Sequence, residues 1–124
     1  MEPLIIRATK LTPTVELIAE QKALRIEGEC LPEDARTYFK PILEWLQEYG
    51  ETHPSKMNLK IYLKYFNSSS AKQLVKIFYL LEDLSEMCPD IQITWIHKQA
   101  DEMMKERGQE LGQLTKIPFS IVEA

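Results

Sequence analysis

Along "MNLKIYLKYF", residues 57 to 66, apolar and polar side chains alternate without a break. Met57, Leu59, Ile61, Leu63 and Tyr65 fall on one side, and Asn58, Lys60, Tyr62, Lys64 and Phe66 on the other. A period of two predicts a strand with two unlike faces. The same period runs through "TVELIAEQKALRIEG", residues 14 to 28. Val15, Leu17 and Ala19 lead across a polar turn near Glu20 to Lys22 into Leu24, Ile26 and Gly28, which predicts a β-hairpin. Leu4 to Ile6 adds a short edge strand, "DIQITWIH" sets Ile91, Ile93 and Trp95 on one face, and "IPFSIVEA" supplies a last strand.

Between these runs the period lengthens. Tyr38, Ile42, Trp45, Leu46 and Tyr49 recur at helical spacing, with Glu33 and Asp34 at the favourable N-terminal end and Gly50 at the stop. Pro41 lies inside that segment, so a kink or a start later than Pro32 is expected. Residues 71 to 87 form a second helix through Leu74, Ile77, Phe78, Leu81 and Leu84, ended by Pro89. A weaker one spans about 100 to 111 and contains Gly108. Trp45, Leu63, Ile77 and Leu81 are the expected core.

Strand–helix–strand units favour parallel neighbours with right-handed crossovers, whereas the opening hairpin is antiparallel, so the sheet should be mixed. The semi-polar face of 57 to 66 predicts helices mainly on one face and water on the other. The expected class is α/β, a two-layer sandwich. With 124 residues, 44% of them hydrophobic, and no repeat or linker, residues 1–124 read as a single domain.

Charge and composition narrow the chemistry. A net charge of −4, spread along the chain, argues against a surface built to hold nucleic acid by its phosphates. Against that, Lys60, Tyr62, Lys64 and Phe66 on one strand face resemble a stacking platform for single-stranded RNA, and an RNA-binding module is the alternative reading. Lysine stems covering rings on a half-wet sheet give the same pattern. Cys30 and Cys88 stand far apart and no signal-peptide pattern opens the chain, so a cytoplasmic protein with reduced thiols is expected. No apolar run reaches the roughly 18 residues of a membrane span, so no membrane insertion is expected.

For catalysis the chain offers little. His53 and His97 have no Ser, Cys or Asp at a known motif spacing and read as solvated side chains. There is no paired Cys or His spacing for a metal, and no glycine-rich loop for a nucleotide, so no catalytic residue, metal or cofactor is assigned. An enzyme would need an arrangement outside these motifs.

The joint "KYFNSSSAK", residues 64 to 72, holds three successive serines. Ser70 and Gln73 match a capping box for the helix expected from residue 71, and Ser69 is a reserve cap. Ser68 has no such duty. It should stand just outside the first turn, exposed, where the helix dipole and Lys72 favour an added phosphate.

Together with "IEGECLPEDA", "YFKPILEWLQEY" and "TKLTPTVEL", the stretch "LKYFNSSSAK" resembles the SiaC family of bacterial regulatory phosphoproteins, in order and over nearly the whole chain. The resemblance implies a non-enzymatic signalling protein with a fold like that of anti-sigma-factor-antagonist switch proteins. It implies phosphorylation at the position after the Asn of this block, here Ser68, by a serine/threonine kinase of histidine-kinase-like fold. Removal would be by a PP2C-type phosphatase. In one branch the unphosphorylated form activates a diguanylate cyclase, raising cyclic di-GMP and promoting biofilm. A partner is expected to dock on Asn67, Ser68, Ser69 and Lys72 at the start of the helix expected from residue 71. Where the family commonly has an acidic run after the tryptophan-containing strand, this chain has "WIHKQADEMM".

Overall fold

The structure, a computed structural model, describes residues 1–124. Strand β1 (Leu4–Ile6) pairs with β2 (Thr14–Ile18), and β2 with β3 (Ala23–Cys30), all antiparallel. Lys22, at φ 53°, closes the β2–β3 turn by donating its N–H to the Ala19 carbonyl at 3.1 Å. Helix α1 (Ala35–Glu51) then leads to β4 (Met57–Phe66), α2 (Ser68–Leu84) to β5 (Ile91–His97), and α3 (Glu102–Gly112) to β6 (Phe119–Glu123).

From β3 to β6 every neighbour is parallel, and the six strands lie in sequence order. Right-handed crossovers that step always in the same direction leave their helices on one face of the sheet. The expected two-layer α/β sandwich with a mixed sheet is what forms. Because the strand order never reverses, the sheet has no switch-point crevice of the kind that holds nucleotides in doubly wound folds.

The period-two pattern decides which face is covered. Leu17, Ile26, Leu59, Ile61, Ile93 and Trp95 are fully buried beneath the helices, and the four expected core residues Trp45, Leu63, Ile77 and Leu81 join them. On the bare face Arg25 lies between Glu16 and Glu27. Thr94 donates its hydroxyl proton to Asn58 Oδ1 at 3.0 Å.

Helix α1 begins at Ala35, later than Pro32, because Asp34 caps it: its carboxylate accepts from the Thr37 N–H at 3.1 Å and the Thr37 hydroxyl at 2.7 Å. The helix is continuous through Pro41, which sits on its exposed side, where water can take the place of the missing donor. Gly108 makes α3 possible. A Cβ there would come within 2.4 Å of the Trp95 ring, so only glycine lets α3 lie flat on it, and Trp95 Nε1 donates to the Met104 carbonyl at 2.9 Å.

Candidate functional site at the entrance of helix α2

The joint between β4 and α2 is built around Asn67, not around the serines. Its backbone N–H donates to the Cys30 carbonyl at 3.2 Å and its side-chain amide to the Pro32 carbonyl at 3.4 Å. Its side-chain oxygen accepts from the Ser70 N–H at 3.0 Å and the Ser69 hydroxyl at 3.2 Å. Asn67 is therefore the N-cap, and the helix starts at Ser68, three residues before the expected position. The Ser70–Gln73 capping box does not form. Asparagine is as good a cap as serine, and the anchor to Pro32, far off in sequence, selects it.

This shift gives each serine a different fate. Ser70 turns inward and is fully buried, its hydroxyl without a hydrogen-bond partner, beside the Cys30 thiol. Burial pushes that thiol up from its usual range. Ser69 is exposed but bonded to the cap. Ser68 is exposed and takes no part in the cap; it is the first residue of the helix rather than lying outside the first turn. Only Ser68 and Ser69 are open to a modifying enzyme. Lys72 is exposed one turn after Ser68.

The electrostatics of this entrance set it apart. Helices α1 and α3 are capped by carboxylates, Asp34 and Asp101, and α3 has Glu102 in its first turn as well. Helix α2 has a neutral cap and no acidic residue in its first turn. Its positive end thus receives no anionic side chain from its own cap or first turn, beside an exposed hydroxyl.

Ser68 also borders a groove of about 280 Å3. Tyr65, Phe66, Asn67, Ser68 and Ala71 form one wall, and Arg107, Glu110 and Leu111 of α3 the other. None of the α3 residues, nor Tyr65, was legible as part of a site, because helix spacing does not say which turn of α3 will face α2, and Phe66 was expected on the opposite, RNA-type face of β4. Tyr65 and Phe66 reach the groove through a register shift. The pairing of β3 with β4 slips between Gly28 and Glu29, leaving Lys64 without a partner on β3. Gly28, at φ 128°, adopts a backbone open to glycine alone. A glycine inside a strand pattern is the signal that could have announced this bulge.

The bulge also corrects the RNA platform. Beyond it the alternation changes phase, so Phe66 packs edge-on against Trp95 under the helices, with ring centres 5.8 Å apart. Lys60, Tyr62 and Lys64 remain on the open face without it. His97 is a second correction. It is not solvated but buried at the end of β5, where alternation points it inward and its Nδ1 lies 2.8 Å from the Lys98 carbonyl oxygen. His53 is exposed, at φ 55°. Neither histidine lines the groove, no three His, Cys, Asp or Glu side chains converge as a metal cluster would, and both cysteines are buried free thiols. No helix is long and apolar enough to cross a membrane.

Residues 6–124 match the family model described as SiaC family regulatory phosphoprotein. An uncharacterized protein of Pseudomonas aeruginosa (strain UCBPP-PA14) is 25% identical over 121 residues, which are 98% of this chain and 96% of that one. The crystal structure of apo-SiaC from Pseudomonas aeruginosa superposes with a TM-score of 0.90 at 24% identity, covering all of both chains. SiaC in the complex of diguanylate cyclase SiaD with its activator SiaC, from the same organism, gives 0.90 at 24% identity over 98% of this chain and 99% of that one.

Proposed function

The chain belongs to the SiaC family of regulatory phosphoproteins, and from that premise we propose that Ser68 is its phosphorylated residue and that the modification decides whether a partner can dock at the α2 entrance. The observation that carries this is the exposed Ser68 hydroxyl at the one helix start with no carboxylate. A kinase of histidine-kinase-like fold transfers the γ-phosphoryl group of a nucleoside triphosphate to Ser68 Oγ, the hydroxyl proton leaves, and the diphosphate is released. A PP2C-type phosphatase reverses the state with water, releasing inorganic phosphate. The protein itself acts by binding, with no catalysis of its own, in the cytoplasm.

The unphosphorylated form binds and regulates a diguanylate cyclase, through Asn67, Ser68, Ser69, Lys72 and the adjoining groove. The solved complex of a SiaC with a cyclase, which shares this fold, supports that choice of partner. A phosphate adds about −1.5 to −2 charges, which the open helix end tolerates in the free protein. Under a docked partner the same charge must be stripped of water. A penalty of about 3 kcal/mol lowers affinity about a hundredfold.

Mass spectrometry of kinase-treated protein, with titration of both forms against the cyclase, tests the reading. We expect phosphate on Ser68, at least about a hundredfold weaker binding of that form, and a Ser68→Ala protein that stays in the binding state. Phosphate on Ser69 alone, or equal affinities, overturns it.

A further inference from the structure

The groove beside Ser68 has a second wall that the serine joint does not account for. Arg107 is the one cation lining it, with 51% of its side chain exposed. Its ion pair is a 3.5 Å contact to Glu110, one turn along the same helix. Such a pair, open to water, holds its members weakly. Ala71 stands between Lys72 and Ser70 in sequence and contributes only a methyl group to the groove, one turn after Ser68 on the same side of α2.

We propose that Arg107 receives the phosphate on Ser68: the modified side chain turns into the groove, the guanidinium leaves Glu110, and α2 becomes tied to α3. The inference rests on Ser68 being the phosphorylated residue. A guanidinium presents two parallel N–H donors that match two phosphate oxygens, and a phosphate dianion is a stronger partner than a single, largely exposed carboxylate. The first-turn amides of α2 hold the group from the other side. Glu110, then facing an anion, moves towards solvent. Lys72 does not line the groove and belongs to the same helix as Ser68, so it adds positive potential without joining the two helices. The clamp closes over Tyr65, Phe66 and Leu111 and so hides the apolar part of the groove, which adds a steric block to the electrostatic one.

Phosphoserine installed at position 68 by genetic encoding, with no kinase involved, isolates this step. The 31P shift of the full-length protein, followed against pH, reports the second ionisation of the phosphate. In wild type its midpoint should fall at least about half a pH unit below that of Arg107→Ala, since a nearby cation favours the dianion. Arg107→Lys should restore part of the difference. Phosphoserine at position 69, which does not line the groove, should be indifferent to Arg107. Equal midpoints in wild type and Arg107→Ala at position 68, or the same dependence at position 69, overturn the clamp. Because the phosphate is placed by genetic encoding, that failure would leave Ser68 standing as the kinase's target, while phosphate mapped elsewhere by the kinase would leave the clamp chemistry standing.

Discussion

Helices α1, α2 and α3 all start from the same edge of the sheet, after parallel strands, yet their entrances differ in charge. Asp34 and Asp101 each accept from a backbone N–H three residues on, at 3.1 Å, and bring a full negative charge to the positive helix end. Asn67 makes the same bond to Ser70 at 3.0 Å and brings none. The hydrogen-bonding job of a cap and its electrostatic job are therefore separable, and in this fold they are separated at one helix only. The hydrogen bond is enough to set where α2 begins. Leaving out the charge keeps that end receptive to an anion, next to a serine that the cap does not use.

The largest change to these entrances comes from the α3 side. Gly108→Ala would press a methyl group into Trp95, lift α3 from the sheet and dismantle the second wall of the groove. We expect a loss of about 1–3 kcal/mol in a denaturant melt, together with weaker binding of the proposed cyclase partner. A loss below about 0.5 kcal/mol would show that α3 is free to shift without strain.

Removing the neutral cap is the next largest effect. Asn67→Ala should cost about 1 kcal/mol or somewhat more, since the bond to the Pro32 carbonyl goes with the cap. Ser70→Ala, by contrast, should be within about 0.5 kcal/mol of wild type or slightly stabilising, because it removes a buried hydroxyl that has no partner. If Ser70→Ala proved the costlier of the two in thermal melts, the cap would belong to the serine after all.

The smallest effect sharpens the electrostatic half. Hydrogen bonds from Thr37 hold the Asp34 carboxyl below its ordinary range. Its folded pKa lies beneath the unfolded value of about 3.9, so the stability it contributes is complete above that value and drains as the pH falls through the folded one. Asp34→Asn should flatten this acid limb of the stability curve. Asn67→Asp should add a similar limb from α2 and, by filling the positive end, raise the second ionisation of a phosphate on Ser68. Acid titrations of stability that coincide for all three proteins would remove charge from the account of the caps.

How much was legible follows from what each signal depends on. The strands, the helices and the choice of which face is buried were readable because period two and period 3.6 are local, and a covered face needs only its own side chains to declare it. Ser68, the proposed phosphate acceptor, was nominated by its neighbours in sequence and by family resemblance. The cap was misassigned for the opposite reason. Asn67 and Ser70 are chemically near equal as caps, and the contact that separates them comes from Pro32, 35 residues earlier.

A mixed sheet with helices on one side, and a serine joint suited to an anion, could be read from the chain alone, since alternation, helix spacing and hydroxyl position are properties of short stretches. Tertiary structure alone decided the rest. The bulge at Gly28 turned Phe66 to the helix side, and the seat of Gly108 on Trp95 brought Arg107 to the groove that Ser68 borders. Each depends on how two segments meet, and a one-residue shift in a strand reverses which side chains face inward.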